Sequence, residues 1–227
     1  MKKFKYQMHT HTSPCSDCSR MYPEELAKAL YDGGYSGCVV TNHFLHGNSG
    51  IDRSLSWEDF VRQYELDYLE CKRHAEKYGL DIIFGLEEGV GEGLEILCYG
   101  ITPEFLYDHP ELSRRDAELW HNALNSCGAI CVQAHPFREA DHIPVPKLLP
   151  IDYIDGIEVY NAGNSYENNA SAAETFKNNP GFIAVSGADT HHPHTVCLGG
   201  IQTEKRITNE KELVEVLKSG EYTLIEE

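Results

Sequence analysis

The chain has 227 residues, of which 41% are hydrophobic and 24% are charged, an ordinary balance for a globular protein that can bury a sizeable core. No apolar run approaches the roughly 18 residues that a membrane-spanning helix needs. The basic start, residues 1–7, has no apolar segment behind it, so it predicts a first strand and not a signal peptide. The expected location is the cytoplasm. The formal net charge of −17 disfavours extended nucleic acid and membranes as partners, but a small phosphorylated substrate could bind beside divalent cations.

The eight cysteines are predicted to be reduced thiols, because no secretion signal is evident. Cys38, Cys98 and Cys131 lie in strand-like runs and are interpreted as small core residues. Cys15-Ser16-Asp17-Cys18 is a lone C-x-x-C motif, and a structural zinc site would need a second pair at matching spacing. A zinc ribbon is therefore disfavoured.

Short apolar runs alternate with amphipathic stretches, which predicts repeated βα units. Pro23 in a first turn and Ser56 as an N-cap mark two of the helix starts. In chain order, the predicted strands are 4–8, 36–41, 81–86, 94–99, 129–134, 156–160 and 182–186, and the predicted helices are 22–33, 56–79, 111–126, 165–177 and 209–218. With no linker or repeat in evidence, residues 1–227 are expected to form a single α/β domain, either an open sheet or a barrel.

Polar residues cluster where five of these strands end. Imidazole and carboxylate are the ligands that first-row divalent metals prefer, and residues i and i+2 of a strand point the same way. The segments are His9-Thr10-His11, Thr41-Asn42-His43, Gly85-Leu86-Glu87-Glu88, Ala134-His135-Pro136-Phe137-Arg138 and Gly187-Ala188-Asp189-Thr190-His191. In a parallel barrel they would meet at one face, where such folds place their chemistry.

Taken in order, and with Ser16-Asp17 after the first of them, these segments resemble the successive motifs of the polymerase-and-histidinol-phosphatase (PHP) family. The resemblance runs from residue 9 to residue 191. It implies a distorted, TIM-like barrel of seven βα units, two or three divalent ions (zinc, manganese or iron) and hydrolysis of phosphate esters. On this resemblance, the first ion would be held by His9, His11, Glu87 and Asp189, the second by Glu87 and His135, and the third by Asp17, His43 and His191.

The chain departs from the family pattern at two positions. Glu95 stands on the strand after Glu87, where the family commonly has a histidine ligand, and it is expected to act as an oxygen ligand that favours manganese. Asn42 stands where the family often has aspartate. Because asparagine cannot supply the charge of a carboxylate, the orientation of His43 is expected to rest on another group.

Metal-bound hydroxide would attack phosphorus in line with the leaving alcohol. Asp189 or His191 could assist proton transfer, although a ligand role is favoured for both. Arg138 is expected to clamp phosphate, and Arg20 is a second candidate. The alternative for both arginines is pairing with surface acids.

Three functions stay open. The leading one is a phosphoesterase for a small metabolite such as histidinol phosphate, a nucleotide or a sugar phosphate. The chain lacks the serine-valine-histidine segment expected after the bridging glutamate in dedicated histidinol phosphatases. The alternatives are a phosphodiesterase or exonuclease on short oligonucleotides and a non-catalytic metal-binding domain. The oligomeric state is not predicted.

Overall fold

The computed structural model describes residues 3–141 and 143–227; Met1 and Lys2, part of the basic start, and His142 lie outside the described residues. The described chain forms strands β1 (Phe4–Gln7), β2 (Gly37–Val40), β3 (Asp81–Gly91), β4 (Leu94–Tyr99), β5 (Ile130–Gln133), β6 (Gly156–Asn161), β7 (Ile183–Gly187), β8 (Gly199–Thr203) and β9 (Tyr222–Glu226). It also forms helices α1 (Pro23–Asp32), α2 (Trp57–Glu76), α3 (Pro103–Asp108), α4 (Ala117–Ser126), α5 (Tyr166–Asn178) and α6 (Glu210–Ser219), with short 3₁₀ turns at Pro110–Ser113, Ile151–Tyr153 and Pro193–Thr195.

Side-chain caps start most of the longer helices where the sequence predicts them. Ser56, Ser165 and Asn209 each accept a hydrogen bond from the backbone N–H three residues ahead. Pro23 lies in the first turn of α1, where its missing N–H costs nothing.

All strands belong to one sheet in the order β7-β6-β5-β4-β3-β2-β1-β8-β9. Neighbouring strands are parallel except around β4, which is antiparallel to both β3 and β5, and around β8, which is antiparallel to β1 and β9. The two ends of the sheet meet through side chains, because the Ser186 hydroxyl on β7 accepts from Gly200 N and donates to Ile225 O. The sheet is therefore a nearly closed barrel, and the predicted fold class is confirmed.

The buried amide of Gln7 joins three parts of this closure. Its Oε1 accepts hydrogen bonds from the backbone of Met8, His9 and Ala188, at 2.9, 3.2 and 3.0 Å. Its Nε2 donates to the carbonyl groups of Val196 and Gly199. One side chain thus fixes the end of β1, which leads into His9, against the segments that follow β7.

The expectation of seven strands is wrong, because β8 and β9 form a further antiparallel pair of strands. β8 begins with two glycines, which are not typical of strands, so the sequence does not predict it. Gly200 has a φ of +133°, and a Cβ there would lie 2.3 Å from Tyr6 O, so the close approach of β8 to β1 requires glycine.

The single predicted helix over residues 111–126 is also wrong. Arg114 is extended (φ −85°, ψ 137°) and separates the 3₁₀ turn at Pro110–Ser113 from α4. Asp116 then begins α4 by accepting a hydrogen bond from Leu119 N. The apolar pattern continues through residues 111–126, but the N-cap at Asp116 starts a new helix within it.

Alternating residues of each strand divide the core into an inner and an outer part. Cys38 and Val40 of β2 face the helices, whereas Val39 belongs to the cluster inside the barrel. Leu213 and Leu217 of α6 join that inner cluster, and Lys218 Nζ donates to Gly128 O just before β5. Because α6 covers the end where β5 begins, the opposite end remains for the polar strand ends. Among the described helices, none is both long and apolar enough to cross a membrane.

Candidate metal centre

The strand ends converge on the carboxylate of Glu87, which is fully buried. Its Oε1 lies 3.2 Å from His9 Nε2 and 3.1 Å from His135 Nε2. Its Oε2 lies 3.3 Å from His11 Nε2 and 2.9 Å from His43 Nδ1. Four imidazole groups from three strand ends therefore surround one carboxylate, as a bridging ligand would require.

Asp189 closes a second side of the cluster. Its Oδ1 lies 3.5 Å from His9 Nε2 and 3.1 Å from His11 Nε2. Asp189 and His135 have positive φ angles of 48° and 25°, a conformation that costs roughly 1–3 kcal/mol for a residue other than glycine. Such strain is typical of residues whose side-chain direction serves a site.

Glu95 reaches the cluster because β4 runs antiparallel to its neighbours. It sits near the start of β4, which lies at the same end of the barrel as the carboxyl ends of the parallel strands. Its two oxygens lie 3.6 Å from His43 Nδ1 and 3.5 Å from His135 Nε2. Burial and the charge of Glu87 raise the pKa of Glu95 to about 7.

The structure itself indicates that these residues fit divalent metal ions. His9 Nε2, His11 Nε2, His43 Nδ1 and Glu87 Oε2 are buried near one another without a hydrogen bond of acceptable geometry. Buried polar atoms are otherwise nearly always bonded, so these four lack a partner that a cation would provide. Within residues 3–141 and 143–227, four groups of three residues have ligand atoms within 4.8 Å of one another: His9, Glu87 and His135; His9, His11 and Asp189; His43, Glu87 and Glu95; and His11, His43 and His191.

Asp17 is absent from these groups, although its ligand role is predicted. The residue is exposed, and its backbone N–H is bound to Asn48 O at 2.9 Å. Its neighbour Cys18 lies at the cluster instead, with Sγ 3.0 Å from His191 Nε2. Burial raises the pKa of Cys18, but hydrogen bonds with His191 and His43 outweigh it and lower the pKa to about 6.

The charged groups of the cluster shift one another's pKa values. Burial lowers the pKa of His9, but the charges of Glu87, Glu158 and Asp189 outweigh it and raise that pKa well above its usual range. Burial raises the pKa of Glu87, which is nevertheless held well below its usual range by His9 and His43. The raised pKa of His9 reflects the excess of acidic charge around it, which a bound divalent ion would also neutralise.

Glu158 on β6 supports two of the histidines, a role that the motifs do not reveal. Its Oε1 lies 3.0 Å from His9 Nδ1, and its Oε2 accepts from His135 N and from Asn161 Nδ2, both at 2.9 Å. A carboxylate bound to the far nitrogen of an imidazole fixes the ring and leaves Nε2 for a metal. The available signal was an acid at an inward position near the end of a predicted strand.

Asp67 of α2 supplies a carboxylate next to Asn42, where the family pattern often has aspartate. Asn42 Nδ2 donates to Asp67 Oδ2 at 2.8 Å, and Thr12 donates its hydroxyl to the same oxygen. Asn42 Oδ1 accepts from the Ser16 hydroxyl at 2.8 Å, and Ser16 Oγ lies 3.2 Å from His11 Nδ1. Asp67 thus connects to a cluster histidine through two side chains.

A cavity of about 710 Å³ opens beside the cluster. Arg138 lines it and donates to Asp189 Oδ2, Asn161 Oδ1 and Asn164 Oδ1, so it holds Asp189 in place. Arg53 and Arg115 line the same cavity. Arg20 does not line it; its guanidinium donates to the carbonyl groups of Asp17 and Ser19.

No family model and no curated protein matches the chain. Solved structures do match. A Bacteroides vulgatus protein of two domains, described as containing a predicted PHP-like metal-dependent phosphoesterase, is 17% identical with a TM-score of 0.72 over 99% of this chain. The lesion-specific endonuclease PfuEndoQ from Pyrococcus furiosus is 15% identical with a TM-score of 0.66 over 98% of this chain. PsfC from Pseudomonas syringae is 14% identical, with a TM-score of 0.68, and the match covers all of this chain and 93% of that one.

The chain therefore has the fold of the PHP-like metal-dependent phosphoesterases, and the resemblance drawn from its motifs is confirmed at the level of the fold. It spans 65% of the Bacteroides protein and 58% of the endonuclease. Because one protein with this fold is an endonuclease, the fold does not support the expectation that extended nucleic acid is excluded.

Proposed function

We propose that the chain is a metal-dependent phosphoesterase that hydrolyses a small phosphorylated metabolite. The observation that carries the proposal is the convergence of five histidines and three carboxylates, with four buried and unpartnered ligand atoms, beside a cavity lined by arginines. Buried polar atoms without partners are costly, so a fold that keeps them together indicates a function for them.

Two or three divalent ions (zinc, manganese or iron) would supply a hydroxide near neutral pH and neutralise phosphate oxygens. The residues that would hold them are His9, His11, His43, Glu87, Glu95, His135, Asp189 and His191. Glu87 faces four imidazoles with its two oxygens and is suited to bridge two of the ions.

The remaining chemistry belongs to side chains at the cavity. Arg138 would orient Asp189 and direct a remaining N–H toward a phosphate oxygen, in the clamp predicted for it. His191 also lines the cavity, and its Nδ1 lies 2.7 Å from Asp189 O. A protonated His191 could donate to the leaving alcohol as the P–O bond breaks, although a ligand role is favoured for it and for Asp189.

The cavity and the charge together favour a small substrate. A volume of about 710 Å³ is in the range of small-molecule sites. The net charge of −17 opposes a long polyanion. Three arginines line the cavity together with three carboxylates, Glu92, Glu95 and Asp189, so the cavity offers guanidinium groups for one phosphate without a broad basic surface. A phosphomonoester such as histidinol phosphate, a nucleotide or a sugar phosphate fits this description.

A panel of phosphomonoesters, cyclic phosphates and short oligonucleotides tests the proposal, with protein purified without chelator and supplied with zinc, manganese or iron. We expect hydrolysis of at least one phosphomonoester. His9→Ala and Asp189→Ala should each lower turnover by at least 100-fold, because each removes a ligand. His109→Ala is the matched control, since His109 lies outside the cluster and contacts Glu111.

Turnover close to wild type in His9→Ala or Asp189→Ala would contradict the mechanism. Cleavage of oligonucleotides alone would favour the second candidate, a phosphodiesterase or exonuclease, which the shared fold with a lesion-specific endonuclease supports. Metal binding without hydrolysis of any panel member would favour a non-catalytic domain.

A further inference from the structure

Cys18 brings a thiol to the edge of the cluster, in a lone C-x-x-C motif that otherwise has no role. Its Sγ lies 3.0 Å from His191 Nε2. Cys15, the other cysteine of the motif, is buried in the outer core cluster instead. The two sulfurs therefore lie in different surroundings, and the motif does not bind one zinc ion through both cysteines.

The thiol stands next to three histidines whose ligand nitrogens already lie within 4.8 Å of one another: His11, His43 and His191, here called the outer histidine group. The rings of His11 and His191 stack with centroids 4.4 Å apart, and those of His11 and His43 lie 4.3 Å apart. His11 is fully buried, and its Nδ1 is taken by Ser16 Oγ, so Nε2 is the nitrogen it offers to this group. Although His11 Nε2 lies 3.1 Å from Asp189 Oδ1, it has no hydrogen bond of acceptable geometry, which independently indicates a missing ligand.

An oxygen donor from the same loop does not complete this group. Asp17, which the family pattern would supply here, is exposed and belongs to none of the groups with metal-ligand spacing among the described residues. Three imidazoles and one further donor make a tetrahedral set, which is the arrangement that zinc prefers.

We infer that Cys18 is a metal ligand and that its thiolate completes a Cys-His₃ site with the outer histidine group. The inference rests on the proposed function, because it concerns one ion of the same cluster. On binding, the S–H bond breaks, the proton passes to solvent, and the sulfur lone pair forms the bond to the metal. The step involves no change of oxidation state.

A thiolate ligand changes which ion this site selects. Thiolate is a soft donor that favours zinc, cobalt or ferrous iron over manganese and magnesium. The carboxylates around Glu87 favour harder ions. The cluster would then hold unlike ions, with a sulfur-bound one at the cavity, where Cys18 is part of the lining.

Cobalt titration of the metal-free full chain tests the inference without measuring activity. Thiolate bound to cobalt gives a charge-transfer band in the near ultraviolet that nitrogen and oxygen ligands do not give. We expect the band in wild type and in Cys127→Ser, whose thiol is exposed, and its loss in Cys18→Ser. Cys18→Asp should bind cobalt without the band and should raise affinity for manganese relative to zinc by at least tenfold.

A band that survives in Cys18→Ser, or its absence in a wild-type protein that binds cobalt, would overturn the inference. Loss of one bound ion in Asp17→Asn but not in Cys18→Ser would also overturn it, since Asp17 would then be the ligand. These outcomes are independent of the proposed function, which is judged by the substrate panel. A chain that binds no cobalt would contradict both.

Discussion

Glu95 is the residue at which the cluster differs most clearly from the PHP pattern that its motifs resemble. Its folded pKa of about 7 lies above the usual value of 4.5, because burial and the nearby Glu87 oppose its charge. Without metal, the folded state therefore binds the proton more tightly than the unfolded chain does. Its contribution to stability is present below pH 4.5 and is lost as the pH rises through 7.

Glu95→Gln should consequently have opposite effects without and with metal. At pH 8 the metal-free variant should be more stable than metal-free wild type by roughly 1–3 kcal/mol, since one pKa unit corresponds to about 1.4 kcal/mol. With zinc or manganese, the wild type should gain more stability than the variant, because Gln is a neutral and weaker ligand. Denaturant unfolding at pH 5 and pH 8, with and without metal, measures both effects.

Glu139→Gln serves as a control for removing one acid from this acidic chain. If Glu95→Gln gained as much from metal as wild type does, Glu95 would not be a ligand. If the metal-free variant were no more stable than metal-free wild type at pH 8, the surroundings would not disfavour the ionised form of Glu95.

Sequence reasoning at the residue scale depends on how regular the local backbone is. His9 and His11 could be identified because they closely follow a predicted strand, where the i, i+2 rule predicts that they share one side. Asp17 and Cys18 lie in a loop where no period applies, so the sequence could not tell which of the two reaches His191. Asp67 lies on a helix and meets Asn42 only through tertiary packing.

At the scale of elements, α2 contributes a buried charge to the support of the strand ends. Asp67 and Asn42 share a hydrogen bond of 2.8 Å, and the side chain of Asn42 also accepts from Thr12 N at 2.6 Å. In this network one partner is a carboxylate that accepts, and the other is an amide that donates to it. The family position at residue 42 and the helix position at residue 67 can therefore be regarded as alternative places for the same charge.

Asn42→Asp should destabilise the protein by about 2–4 kcal/mol, because two buried carboxylates would face each other and one hydrogen bond would be lost. Asp67→Asn in the same chain should restore most of that loss, since the donor and acceptor then exchange places. A double-mutant cycle from urea unfolding measures the coupling, which we expect to exceed 1 kcal/mol. Additive effects would contradict a shared network.

The predicted elements succeed where the pattern is repeated and fail where it is not. The βα rhythm predicts β1 to β7, and β4 matches its predicted bounds of 94–99. The predicted third strand ends at residue 86, whereas β3 continues to Gly91 because it pairs with β4 in a hairpin. Glu87 is thus inside a strand, and the hairpin is what brings Glu95 back to the same end of the barrel.

At the scale of the whole molecule, the chain carries a net charge of −17, and the buried acids of the cluster are part of that excess. Metal ions would neutralise Glu87 and Asp189, and they would displace the proton from His9, whose pKa is raised despite burial by these same acids. Binding to the folded state alone stabilises it by about 2.7 kcal/mol when the free ion is at 100 times its dissociation constant.

Chelation should therefore lower the melting temperature by roughly 5–10 °C for each tightly bound ion, given about 2–4 °C per kcal/mol for a chain of this size. The effect should shrink as the pH falls below 7, because protons then compete for His9 and Glu95. Calorimetry at pH 6 and pH 8, with and without chelator, measures it. His9→Ala should lose much of the gain while His109→Ala keeps it. An equal effect of chelator on both variants would place the stabilising ions outside the cluster.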